Sequence, residues 1–200
     1  MAREQYSTRV LVLPGIPYGP APEHMGFPGT ISLSFHTYTS LVKEVLLSVI
    51  QHGYRRLVLV KGCSGQFGLE QAMYDVRLQA LAEGRSVNLR LLAIERLLVE
   101  ASRHVFGGRP DSHAGIGETS LTLASRRALV DETHIGTPDI RPLRTDAPWR
   151  SEDVSDVGVF SDPVGANAED GHRLLTLNVS AMADELHRID QETRAEVQLR

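Results

Sequence analysis

The residues best suited to chemistry stand close together. Asp111, His113 and Glu118 fall within the eight residues Asp111-Ser112-His113-Ala114-Gly115-Ile116-Gly117-Glu118, a polar loop that runs into an apolar-periodic helix. Carboxylates beside an imidazole can transfer protons in a hydrolysis or ligate a divalent metal. The same residues suit a helix start, where acidic side chains and hydroxyls cap exposed N–H groups, and on residue types alone both readings stay open. Cys63, the one cysteine of the chain, lies in Lys61-Gly62-Cys63-Ser64-Gly65-Gln66-Phe67-Gly68. A thiol between a strand and a helix start, with Lys61 close by, is either an activated nucleophile or a small packing residue. The glycines of this turn would also allow phosphate at a helix N-terminus. Their spacing is not G-x-G-x-x-G, and the acidic partner such a site needs is not evident. A third candidate is His24, which shares the Pro- and Gly-rich stretch 16–34 with Tyr18 and Glu23. Loops of that length tend to be functional, although a loop histidine is also an ordinary surface residue.

The elements that must position these groups read as alternating strands and helices. Arg9-Val10-Leu11-Val12-Leu13 has the apolar run of a buried strand, and so does the segment from Arg56 to Val60. A third strand is expected over 86–94. Between the first two, a helix from Thr37 or Thr39 carries the stripe Leu41, Val42, Val45, Leu46, Val49 and Ile50, and Gly53 stops it. Leu69, Ala72, Met73, Val76 and Ala80 mark the next helix, which ends near Gly84. Further helices are expected at 95–106, at 121–130, and from about Asp170 with Leu175, Val179, Met182, Leu186 and Ile189 inward. Residues 131–156 read as a surface excursion, with Trp149 a packing or subunit-contact residue. A strand, a glycine turn and a helix make half of a βαβ unit, and ligands bind at the carboxyl ends of such strands. Loop 62–68 therefore lies where chemistry is expected.

Composition narrows the classes. Two hundred residues with 42% hydrophobic and 23% charged side chains suit a single domain over 1–200, with 1–8 and 191–200 frayed. A net charge of −4 gives no electrostatic reason for nucleic acid or an anionic membrane as partner. One cysteine excludes an internal disulfide and fits a reducing compartment. No apolar run approaches the ~20 residues of a membrane helix, and no signal peptide opens the chain, so the expected location is cytoplasmic.

Three segments together resemble the creatininase (creatinine amidohydrolase) family. They are Leu13-Pro14-Gly15-Ile16-Pro17-Tyr18-Gly19 with Pro22-Glu23-His24-Met25-Gly26-Phe27-Pro28-Gly29-Thr30-Ile31; His52-Gly53-Tyr54-Arg55-Arg56 with Gly62-Cys63-Ser64-Gly65-Gln66; and Asp111-Ser112-His113-Ala114-Gly115 with Glu118-Thr119-Ser120. Asp162-Pro163 with Ala166 and Gly171 form a weaker fourth. The resemblance implies an α/β fold, a three-layer α/β/α sandwich with a mostly parallel sheet, usually assembled as hexamers. It also implies hydrolysis of an amide-type C–N bond with divalent ions that polarise the carbonyl and activate water.

The departures shape the expected role. Relatives carry a Glu-x-His pair and an Asp before the first of these segments, and the few residues here do not reproduce them. Where relatives read Asn-Gly-His-Gly-Gly-Asn, Lys61, Cys63, Ser64 and Gln66 stand for Asn, His, Gly and Asn. His113 and Glu118 remain on pattern: the histidine serves the reaction in relatives, and the glutamate lies at or beside the metals. The resemblance thus implies His113, Glu118 and Cys63 as catalytic candidates and His24, Tyr18 and Asp111 as substrate contacts. No metal ligand set is complete in this chain, and Zn, Mn or Fe would need donors from a partner chain. Two roles follow. In one the chain is a degenerate-site, pseudoenzyme-like subunit, in a homo-oligomer or beside an intact creatininase-like paralogue, serving an enzyme that acts on a small molecule. In the other it is a free-standing enzyme with metal-independent or Cys63-assisted acid–base chemistry.

Overall fold

The computed structural model describes residues 10–63, 65–144 and 146–198, with side chains to residue 192. Its helices are α1 (Phe35–Gln51), α2 (Leu69–Ala82), α3 (Ile94–Val105), α4 (Ile116–Arg126), α5 (Ser151–Val154) and α6 (Ala168–Gln198), with strands β1 (Arg56–Lys61) and β2 (Asn88–Ala93). Short 3-10 turns cover Pro22–His24, Arg127–Leu129 and Glu132–His134. The expected strand position of Arg9, the fraying of 1–8, Ser64 of the glycine turn and residues 199–200 lie outside the described residues. No described helix is long and apolar enough to cross a membrane.

The chain divides into two compact units. The first contains residues 10–22, 31–95 and the helix from Ala183 onward. Here β1 and β2 pair in parallel, Arg56 opposite Asn88 through Lys61 opposite Ala93, with α2 as the crossover. The fold is α/β, as the sequence implies. Tyr38, Val42, Leu46 and Ile50 of α1 pack with Leu69, Ala72, Met73 and Val76 of α2 and with Leu89 of β2 to form the core. Ser34 starts α1 by accepting the N–H of Thr37 at 3.1 Å, which places the start earlier than the Thr37 or Thr39 expected. Gly53 ends it at a φ of +94°, a conformation that glycine adopts without strain.

Val10–Leu13 is not a strand. The run is irregular and exposed, Val12 at 81%. An apolar pattern forms a strand only where a neighbour accepts its N–H and C=O groups, and these residues have no ladder partner among the described strands.

The second unit contains residues 23–30 and 96–182. Helix α4 begins at Ile116 rather than near residue 121, because the carboxylate of Asp111 takes the N–H of Gly117 at 3.1 Å and so satisfies its first turn. Helix α6 begins at Ala168, two residues before the expected start, and Asn167 Oδ1 accepts the N–H of Asp170 at 2.9 Å. Its inward stripe passes through Leu174, which is 0% exposed, and not through Leu175, which is 45% exposed. The expected excursion 131–156 ends in buried structure, since Ser151, Val154 and Ser155 are all fully or nearly fully covered.

Candidate active site

The second unit holds four of the six expected site residues, His24, Asp111, His113 and Glu118. Tyr18 and Cys63 belong to the first unit.

The 111–118 segment is a tightly tied turn. Asp111 Oδ2 accepts from Ser102 Oγ at 2.5 Å and from the N–H of Gly117 at 3.1 Å, while Oδ1 accepts from Ser161 Oγ at 3.5 Å. Ser161 Oγ in turn accepts the N–H of Ser112 at 2.9 Å. Directly after His113 the backbone turns left-handed at Ala114, whose φ is +55°, the one positive value among described non-glycine residues. A side chain in that region costs on the order of 1–2 kcal/mol, and the surroundings hold it there. Glu118 Oε2 takes the N–H of Ala114 at 2.6 Å, and the N–H of Phe160 donates to the carbonyl of His113 at 2.9 Å. Arg109 fastens the opposite strand of the loop. Its Nη2 reaches Asp162 Oδ2 at 2.7 Å, and its Nη1 reaches the carbonyl of Val164 at 2.7 Å.

What the turn presents is the imidazole of His113. Its ring centroid lies 4.8 Å from that of His24, the planes tilted by 31°, and 5.1 Å from Phe160. Loss of water around the ring holds its pKa below the ordinary imidazole value, and the nearby His24 adds to this. Glu118 and Glu23 pull the other way. His24 Nδ1 is 2.7 Å from Ser151 Oγ, and its Nε2 faces Glu23 Oε1 at 3.8 Å. Trp149 meets Phe160 edge-on at 6.1 Å, which makes it a packing residue of this cluster. The sequence reading missed Ser151 and Phe160. Phe160 stands two residues before the Asp162-Pro163 turn, which was a usable signal; a buried serine inside a polar stretch gave none.

In the first unit Cys63 is exposed and not a packing residue. Its carbonyl accepts the N–H of Gln66 at 3.3 Å, and burial, with Cys63 nearby, raises the phenol of Tyr38 above its usual range. The two features expected to activate the thiol are directed elsewhere. Helix α2 starts only at Leu69, and Lys61 Nζ pairs with Glu95 Oε1 at 3.4 Å. Tyr18 is exposed.

The described donors do not form a metal centre as they stand. Among the described residues no three side chains of His, Cys, Asp or Glu converge as a ligand set. Both oxygens of Asp111 and one of Glu118 already hold the turn.

A family model described as Creatininase: Creatinine amidohydrolase matches residues 1–186. The chain belongs to the creatininase family. Creatinine amidohydrolase of Pseudomonas putida is 30% identical over 202 residues, covering 87% of this chain and 73% of that protein. Mycofactocin precursor peptide peptidase of Mycobacterium tuberculosis is 31% identical over 194 residues, covering 88% of this chain and 63% of the peptidase, so the chain spans less than two thirds of that relative. A solved structure of creatininase with Mn superposes with a TM-score of 0.80 at 25% identity, over 94% of this chain and 78% of the other. The creatininase fold is thus shared over nearly the whole chain.

Proposed function

We propose that this creatininase-family chain is a cytoplasmic subunit of an oligomeric amidohydrolase that acts on an amide-type C–N bond of a small molecule, with His113 as its proton-transfer group. One observation carries the reading. Asp111 and Glu118 bind the backbone of the turn, and the imidazole they deliver stands against the rings of His24 and Phe160, where partial loss of water favours its neutral form. A neutral imidazole can take the proton of an attacking water as the new C–O bond forms. It returns that proton to the departing nitrogen as the C–N bond breaks. Asp111 belongs with the turn rather than with the substrate, since its oxygens are engaged. His24 is the substrate contact in this reading.

The relatives supply the reaction class in their names, creatinine amidohydrolase and precursor peptide peptidase. A divalent ion, if bound, would supply polarisation of the carbonyl, but no complete donor set stands in the described residues. In this reading the site is degenerate, and an intact creatininase-like paralogue contributes the missing donors in a shared oligomer. The exposure of Cys63 favours a second reading, metal-independent chemistry assisted by the thiol. The engagement of Lys61 with Glu95 weighs against it.

Turnover of creatinine and of short peptides by the chain co-purified with its paralogue separates these readings. His113→Gln is expected to lower kcat by about 10²- to 10⁴-fold, the usual contribution of a general acid–base group, with Cys63→Ser unchanged. Full turnover in His113→Gln overturns the proposal, and loss in Cys63→Ser alone favours the thiol.

A further inference from the structure

We infer that Ser151 is the positioning residue of this site: its buried hydroxyl fixes the ring of His24, and His24 with Phe160 fixes the face that His113 presents. The functional weight of this rests on the reading of His113 just given; the geometry does not. Ser151 is fully buried and stands 127 positions from His24 in sequence, yet its Oγ is 2.7 Å from Nδ1 of that ring. A hydroxyl can donate or accept, so the tautomer is decided at the other nitrogen. There Nε2 faces the carboxylate of Glu23 at 3.8 Å. A negative oxygen on that side favours a proton on Nε2, which leaves the lone pair on Nδ1 with Ser151 donating to it.

The hydroxyl is delivered by a seat and not by a free loop. Arg141 holds α5, its N–H donating to the carbonyl of Val154 at 2.8 Å, its Nε to that of Asp153 at 2.9 Å and its Nη2 to that of Glu152. The Asp153 carboxylate takes the N–H of Arg150 at 2.8 Å and closes the first turn of α5. On the other side Gly26 makes room for Glu152, because a Cβ there would lie 1.2 Å from Oε1. The short helix is therefore latched to the loop that carries His24. A flip of the His24 ring would set a carbon against Ser151 and remove the hydrogen bond. With the ring fixed, its face meets His113 at 4.8 Å, and Phe160 packs on both rings, at 6.0 Å and 5.1 Å.

Long-range ¹H–¹⁵N NMR of the histidine rings in the full chain tests this. The wild-type protein is expected to show His24 as a single tautomer protonated on Nε2. Ser151→Ala, which removes the hydrogen bond to Nδ1, is expected to move the Nδ1 resonance of His24 and the His113 ring signals, while Ser151→Thr, which keeps the hydroxyl, holds both near their wild-type positions. Nitrogens of His24 that average between tautomers in the wild type, or that do not change in Ser151→Ala, overturn the inference. The wild-type spectrum decides even if the alanine variant does not fold. Unaltered turnover in His113→Gln would remove the catalytic reading and leave these signals where they are, so the two failures are distinguishable.

Discussion

His113 is an exposed residue whose ring loses water on the side that meets His24 and Phe160, and this sets a pH dependence. Its pKa in the folded chain lies below the 6.5 of an ordinary imidazole, chiefly because burial disfavours the charged ring. Below that value the unfolded chain binds more protons at this position than the folded one, so stability declines as pH falls and levels off once the folded-state ring is also protonated. Well above it the two states bind alike and the effect vanishes. Urea denaturation of wild type and His113→Gln between about pH 7.5 and 5, bracketing the imidazole range, is expected to show a steeper loss of midpoint for the wild type. Parallel curves would contradict the assignment. The residue types of Asp111, His113 and Glu118 were legible in the sequence because they lie within one short segment. Their division of labour was not, since it depends on Ser102 and Ser161, hydroxyls from distant positions that occupy the Asp111 carboxylate. Ser151 was illegible for the same reason: a hydroxyl becomes specific only when a fold buries it against one partner.

At the level of elements, the close approach of α6 to α4 fixes the base on which the His113 turn stands. A Cβ at Gly171 would lie 2.0 Å from the backbone carbonyl oxygen of Ser120, an atom that cannot rotate away. Gly171→Ala is therefore expected to lower stability by about 1–3 kcal/mol, the usual cost of overpacking. Gly136→Ala, where nothing lies within 4 Å, should stay near neutral. Chemical denaturation of both variants checks this, and an unperturbed Gly171→Ala would show that the two helices are free to separate. The sequence located α1, α2, β1 and β2 closely because each carries an apolar pattern, and Gly53, Gly62 and Gly84 stop α1, β1 and α2. It misplaced the start of α4, whose cap is the Asp111 side chain and not a local Ser or Thr. It also put the α6 stripe through Leu175, since Leu174 and Leu175 are equivalent to a periodicity and only packing tells them apart. At Val10–Leu13 the apolar run was real and the strand was not, because pairing depends on a neighbour that the local pattern does not contain.

For the whole molecule, the creatininase fold comes without a convergent group of three His, Cys, Asp or Glu side chains among the described residues. The family match, the shared fold and the tied histidine turn support hydrolysis of a C–N bond. Of the candidate carboxylates, Asp111 is engaged by hydroxyls and a backbone N–H and Glu118 by a backbone N–H. The proposed reading, a subunit that contributes His113 while an intact paralogue contributes the metal donors, makes a prediction at this scale. The direct measurement is the metal content of the purified chain, alone and in complex with a co-purifying creatininase-like paralogue, after growth with Zn and Mn supplied. The account predicts far less than one ion per chain for the isolated protein and stoichiometric metal in the complex. A full pair of tightly held ions in the isolated chain would contradict it.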